Sequence, residues 1–189
     1  MSRNKIVDAS VKLFSELGYH RTSMDDIAKE ANVAKGTLYY HFSGKGELFE
    51  TIVTDGFQML KDQIGQVLSE NQPPEQQIRS IVQRHVELFL QYSELVHIIA
   101  NEITNGIEPE ILERIMGLKN KYIDFLSDIL RQGHEDGELN KLHYELAAAG
   151  LIGMIESASM YFIKQGKGTR EELHETINTI VLPALLRNL

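Results

Sequence analysis

The stretch Gly36-Thr37-Leu38-Tyr39-Tyr40-His41-Phe42 decides how the rest of this sequence is read. It is too short and too polar to be a core element. Read as a helix, it sets Leu38 and Phe42 four residues apart, on one face. These two point inward as anchors. Lys35, Gly36, Thr37, Tyr39 and Tyr40 stay outside, with the His41 imidazole. A helix that exposes hydroxyls, a lysine and a glycine is a surface built to touch something.

Working outward, both flanks are helical. On the N-terminal side, Ser23-Met24-Asp25-Asp26 is a capping-box-like pattern that opens a helix. It runs to about Ala31, and Asn32 suits the left-handed turn after it. Before that, Ile6, Ser10, Leu13, Phe14 and Leu17 mark one face of a first helix, stopped by Gly18. Two short helices joined by a tight turn, after a longer support, describe a helix-turn-helix unit.

On the C-terminal side, Ser43-Gly44 breaks the chain. A long helix over residues 47–71 follows, roughly 37 Å at about 1.5 Å per residue. Pro73-Pro74 ends it. Ile78, Ile81, Val82, His85, Phe89 and Tyr92 mark a fifth helix. Residues 95–104 make a short sixth and 110–132 a seventh, closed by the turn at 133–137. Residues 143–165 form an eighth. Thr169-Arg170-Glu171-Glu172 is a capping box that opens a ninth, through about Leu186, with Pro183 bending it. No strand pattern competes. The expected fold is all-α with about nine helices. A three-helix head over residues 1–46 joins a larger helical body over residues 47–189.

Charge follows the same division. The chain of 189 residues carries a net charge of −8. Residues 1–50 balance their Lys/Arg (positions 3, 5, 12, 21, 29, 35, 45) against as many Asp/Glu (8, 16, 25, 26, 30, 47, 50), so the whole −8 falls on the body. The longest acid-free window, 31–46, contains the opening stretch. Overall acidity therefore describes the body and does not exclude nucleic acid at the head. Cysteine is absent, which excludes disulfides and thiolate chemistry and fits a cytoplasmic protein. The N-terminus lacks the apolar region of a signal peptide. The apolar stretch 146–163 carries Glu156 and several Ser and Gly, and reads as a buried helix rather than a membrane span.

The chemistry of the head suits DNA. Thr and Tyr hydroxyls donate to phosphate oxygens without adding charge. Lys35 and Lys45 supply charge at the two ends of the segment, and Gly36 lets the backbone approach closely. With three or four phosphates neutralised, the expected log–log salt slope is about −3 to −4.

Ser23-Met24-Asp25-Asp26-Ile27-Ala28, then Val33 through Phe42, then Lys45 and Glu47-Leu48, resembles the tetracycline-repressor (TetR) family over about residues 6–52. The resemblance implies a homodimeric repressor that small-molecule binding in the C-terminal body releases from a palindromic operator on double-stranded DNA. By motif position it implies a DNA-facing set of Thr22, Ser23, Lys35, Gly36, Thr37, Tyr39, Tyr40, His41 and Lys45. Two positions depart from the family pattern. Ala34 stands where Ser or Thr is usual, so the recognition helix lacks a side-chain cap, a loss of about 0.5–2 kcal/mol. Gly46 stands where an acidic residue is common, which loosens the start of the long helix.

In the body, Ala147-Ala148-Ala149-Gly150, Gly153, Ser157 and Ala158 let helices approach closely. Leu173, Ile177, Ile180, Val181 and Leu185 line the last helix. The last two helices of two chains would make a four-helix bundle, and the resemblance places the homodimer interface there. A pocket for a small apolar or amphipathic ligand is expected among the fifth to eighth helices. Its candidate lining is His85, Phe89, Tyr92, Ile99, Met116, Tyr122, Phe125, Ile155 and Met160. The same residues at helical spacing also fit a solid core. Glu102 and Glu156, near apolar faces, are candidates for selecting a cationic ligand or for internal pairing. Ligand is expected to act by shifting the segment 95–106 against the long helix that carries the head.

No nucleophile–base pair or phosphate loop is evident, and no cofactor is expected. His134-Glu135-Asp136 and His143 lack fixed ligand spacing, so no metal is expected. Two other readings stand beside the main one. A DNA-binding regulator without a small ligand would have no cavity above about 300 Å³ in the body. An all-α enzyme would need an acid–base cluster, for which His85 with Glu102 is the only pair to nominate.

Overall fold

The computed structural model describes residues 2–69, 72–93 and 108–187. These residues form eight helices and no strand: α1 (Ser2–Leu17), α2 (Met24–Glu30), α3 (Lys35–His41), α4 (Lys45–Ser69), α5 (Pro74–Gln91), α6 (Pro109–Glu135), α7 (Tyr144–Gln165) and α8 (Arg170–Leu185). The helix expected over 95–104 lies outside the described residues.

Helix ends follow local chemistry. Gly18 takes φ +84° and Asn32 φ +53°, the left-handed turns that end α1 and follow α2. Ser23 and Thr169 each close a capping box, over α2 and α8. Pro74 opens α5 at a position where its missing N–H is not needed, and Pro73 O accepts from Gln77 N at 3.1 Å. The long helix starts two residues earlier than expected. The Glu47 carboxylate accepts from both the amide and the hydroxyl of Ser43, at 2.7 Å each, and fixes that start. Gly46 is buried here. A Cβ on it would strike the Ile111 side chain and come within 2.6 Å of Glu108 Oε2. The glycine therefore permits close packing of α6 on the start of α4, and the expected loosening is corrected.

The chain divides into two compact units, residues 1–56 with 92–118 and residues 57–91 with 119–189. In the first, α1, α2 and α3 pack on one another. Ile6, Phe14, Ile27, Leu38, Leu48 and Phe49 are buried. Phe14, Tyr19 and Phe49 form an aromatic cluster with centroids 5.1–5.9 Å apart. In the second unit, α5, α7 and α8 pack mutually. Their core joins Ile64, Val82, Val86, Tyr122, Ile155, Ile177 and Val181. Leu173, Ile177, Val181 and Leu185 are buried within the chain. The last helix therefore spends most of its expected interface residues on its own core and leaves Ile180 outside.

α7 is covered less than its composition suggests. Leu146 is 68% and Tyr161 67% exposed, so the helix expected to be buried is apolar on an open face. It is long and apolar enough to cross a membrane by length and composition.

Candidate DNA-reading site and body cleft

The α3 helix divides as its sequence suggests. Leu38 and Phe42 are buried, while Tyr39 is 45% and Tyr40 85% exposed. Lys35 and Gly36 are exposed and Thr37 is half-buried. Ala34 takes an extended conformation (φ −65°, ψ 144°) and gives α3 no side-chain cap. At the far end of α3, His41 Nε2 and the Ser2 hydroxyl are hydrogen-bonded at 2.7 Å, and Arg3 lies 5.7 Å from the Phe42 ring centroid. The start of α1 thus packs against the end of α3.

Three cations of the head are engaged. The Lys35 ammonium lies 2.7 Å from Asp25 Oδ1 and donates to Oδ2 at 3.0 Å, which raises its pKa above the ordinary lysine value. Lys12 donates to Glu30 at 2.6 Å, and Arg21 Nε donates to Leu17 O at 2.6 Å.

Three members of the expected DNA-facing set are placed otherwise. Thr22 is 1% exposed, and its hydroxyl reaches the carbonyls of Gly18 (2.9 Å) and Leu13 (3.2 Å). It closes the turn between α1 and α2 from inside. The Ser23 hydroxyl accepts from Asp26 N and donates to Asp26 Oδ2, so it is committed to starting α2. Lys45 donates to the carbonyls of Tyr19 (2.8 Å) and Thr22 (3.1 Å), and its ammonium lies 4.4 Å from the Tyr19 ring centroid. Burial lowers its pKa, opposed by Glu108. Lys45 is thereby a clamp from α4 onto the α1–α2 turn. Sequence reasoning missed Tyr19 and Asp25 as partners. Tyr19 followed a glycine turn with no periodic neighbour. Asp25 read only as a cap residue, since no spacing rule relates the starts of two helices.

The body candidates are dispersed. His85, Phe89, Tyr122 and Ile155 are buried, and Phe125 and Met160 are half-buried. Tyr92 and Met116 belong to the first unit, and Ile99 lies outside the described residues. His85 Nδ1 lies 2.9 Å from Ile81 O, and His85 Nε2 lies 2.6 Å from the Tyr122 hydroxyl. A carbonyl only accepts, so the proton sits on Nδ1 and Nε2 accepts from Tyr122. Burial lowers the His85 pKa and raises that of Tyr122. The pair is a satisfied core contact, and Glu102, its nominated acid–base partner, lies outside the described residues. Glu156 is paired with Lys119 at 3.1 Å rather than open to a ligand.

The second unit contains a cleft of about 590 Å³, walled by Ile78, Ile81, Val82, Phe125, Leu126 and Leu139 among others. Asp128, Asp136 and Glu138 also line it. Of the nine ligand candidates it takes only Phe125. Among the described residues no three His, Asp or Glu side chains converge as a metal site.

Comparison with known proteins bears on this geometry. Residues 6–52 match the family described as bacterial regulatory proteins, tetR family. Residues 71–185 match the tetracyclin repressor-like C-terminal domain. A fatty acid metabolism regulator protein of Bacillus subtilis is 25% identical over 153 residues, covering 80% of this chain and 78% of its own. The structure of FadR from B. subtilis in complex with stearoyl-CoA superposes with a TM-score of 0.80 at 22% identity, over 96% of this chain and 97% of that one. The structure of AibR with isovaleryl coenzyme A and operator DNA gives a TM-score of 0.74 at 24% identity, over 97% of this chain and 100% of that one. At these identities the two structures establish a shared fold.

Proposed function

Because this chain belongs to the tetR family of bacterial regulatory proteins, we propose that it works in the cytoplasm as a dimeric, sequence-specific DNA-binding repressor, released from a palindromic operator by a small amphipathic ligand. The observation that carries the reading is the outer face of α3. Tyr40 is 85% exposed on a helix whose other face is sealed by Leu38 and Phe42. A large aromatic held out by a rigid helix, beside Lys35, Gly36, Thr37 and Tyr39, suits phosphates and base edges in a major groove. Residues 1–46 are the reading head in this proposal, and residues 47–189 carry the ligand and the dimer contact.

One short recognition helix covers only a few base pairs, so a palindrome needs two heads, ~34–36 Å apart. The second copy is supplied through α7 and α8. Leu146, Tyr161, Ile163 and Ile180 are exposed on the single chain, and among the described residues a Cβ added at Gly150 or Gly153 would have no packing atom within 4 Å. We assign this apolar face to a second copy rather than to lipid.

The ligand reading draws on the cleft and on the relatives. FadR and AibR were solved with acyl thioesters of coenzyme A. The apolar walls here suit an acyl chain, and Asp128, Asp136 and Glu138 would keep coenzyme A phosphates outside the cleft. Ligand and DNA then lower each other's affinity by the same factor. The test is fluorescence anisotropy of a selected operator duplex titrated with acyl-CoA thioesters of graded chain length. Release that strengthens with chain length supports the proposal. Unchanged DNA affinity at saturating, independently measured thioester occupancy would exclude release by this class and leave the DNA-reading assignment standing.

A further inference from the structure

We infer that Asp25 is a specificity-determining residue of the DNA-reading head: it makes Lys35 a directional donor and denies that charge to DNA bound out of register. This rests on the assignment of α3 as the recognition helix. The Lys35 ammonium is 2.7 Å from Asp25 Oδ1 and 3.0 Å from Oδ2, and it lies 6.0 Å from the Tyr39 ring centroid on the outer face of α3. Both side chains are more than 60% exposed, so the pair stands on the surface offered to DNA.

An ammonium has three donors, and the Asp25 carboxylate occupies one side of it. A phosphate can join the pair only from the open side, with the carboxylate behind the nitrogen. From the Asp25 side it meets the carboxylate first. At a distance the pair is neutral and attracts no phosphate. Non-specific binding is almost wholly phosphate charge, whereas specific binding adds contacts made in one register. A neutral pair with one productive line of approach therefore contributes to the second and little to the first. Like-charge contact against wrong placements is a recognised source of discrimination. Lys12 likewise donates to Glu30, Arg21 Nε to the Leu17 carbonyl and Lys45 to the carbonyls of Tyr19 and Thr22.

The experiment compares wild type with Asp25→Asn, Lys35→Gln and the double variant, on a selected palindrome and on a scrambled duplex across a salt series. Asn keeps the shape of Asp without its charge, and thermal melting confirms folding. Asp25→Asn is expected to tighten scrambled-duplex binding about three- to tenfold and to steepen its log–log salt slope by about 0.9, one further phosphate contact. Palindrome affinity should change less than threefold, so discrimination falls. In the Lys35→Gln background the Asn substitution should have little effect on either duplex. An unchanged scrambled-duplex affinity and slope in Asp25→Asn, weaker binding to both duplexes, or an equal gain in the Lys35→Gln background would each overturn the inference. Absence of selective DNA binding by wild type would instead overturn the assignment beneath it.

Discussion

Burial of His85 against Tyr122 makes the stability of the body depend on pH. Burial holds the folded histidine below its ordinary 6.5, with the Ile81 carbonyl pulling weakly the other way. The unfolded chain takes up a proton near 6.5 that the folded chain refuses. Stability from this site is therefore complete above about pH 6.5 and declines as pH falls below it, until the folded pKa is reached. Replacing His85 with Gln is expected to flatten the fall in melting temperature between about pH 7 and about pH 5, relative to wild type. An identical slope in both proteins would show that His85 titrates freely. The same pair marks where sequence reading stops at this scale. His85 was visible as a histidine on an apolar stripe, but its partner stands 37 positions away, and no periodicity relates the two. Thr22 and Lys45 follow the same logic. Motif position set them facing DNA, and only packing reveals that their polar atoms satisfy carbonyls of the α1–α2 turn.

At the scale of elements, the helices themselves were readable because their signals are local. Ser23 and Thr169 cap within four residues, and Gly18 and Asn32 turn where only local backbone geometry matters. The start of α4 was misplaced because Ser43 and Glu47 form a cap the spacing rules did not anticipate. α3 is the element most open to improvement. Its N-cap residue already has the right backbone, but alanine offers no side-chain acceptor. Ala34→Ser is expected to stabilise the protein by about 0.5–1.5 kcal/mol in chemical denaturation. A neutral or negative effect would mean that a serine there cannot reach the amides of the first turn.

At the scale of the whole molecule, the sequence suggested a head and a body, but the compact units are drawn by contacts distant along the chain. Among the described residues, 108–118 fall in one compact unit with residues 2–56, and helical periodicity carries no trace of that grouping. The small-residue run of α7 reads as a face for a partner helix, whereas most of the apolar face of α8 serves the chain's own core. Ile180, 57% exposed, is the large apolar residue of α8 that stands outside that core. Ile180→Glu, combined with Leu146→Glu, is expected to convert a dimer into a folded monomer in sedimentation velocity. Persistence of the dimer would move the interface elsewhere. The central claim is that α3 reads DNA sequence from two copies of this chain. Its most direct test is selection of bound duplexes from a random library, with Tyr40→Ala as control. Enrichment of a palindrome by wild type, lost in a folded and dimeric Tyr40→Ala protein, is the expected result. No enrichment by folded, dimeric wild type, or equal enrichment by the variant, would contradict the account.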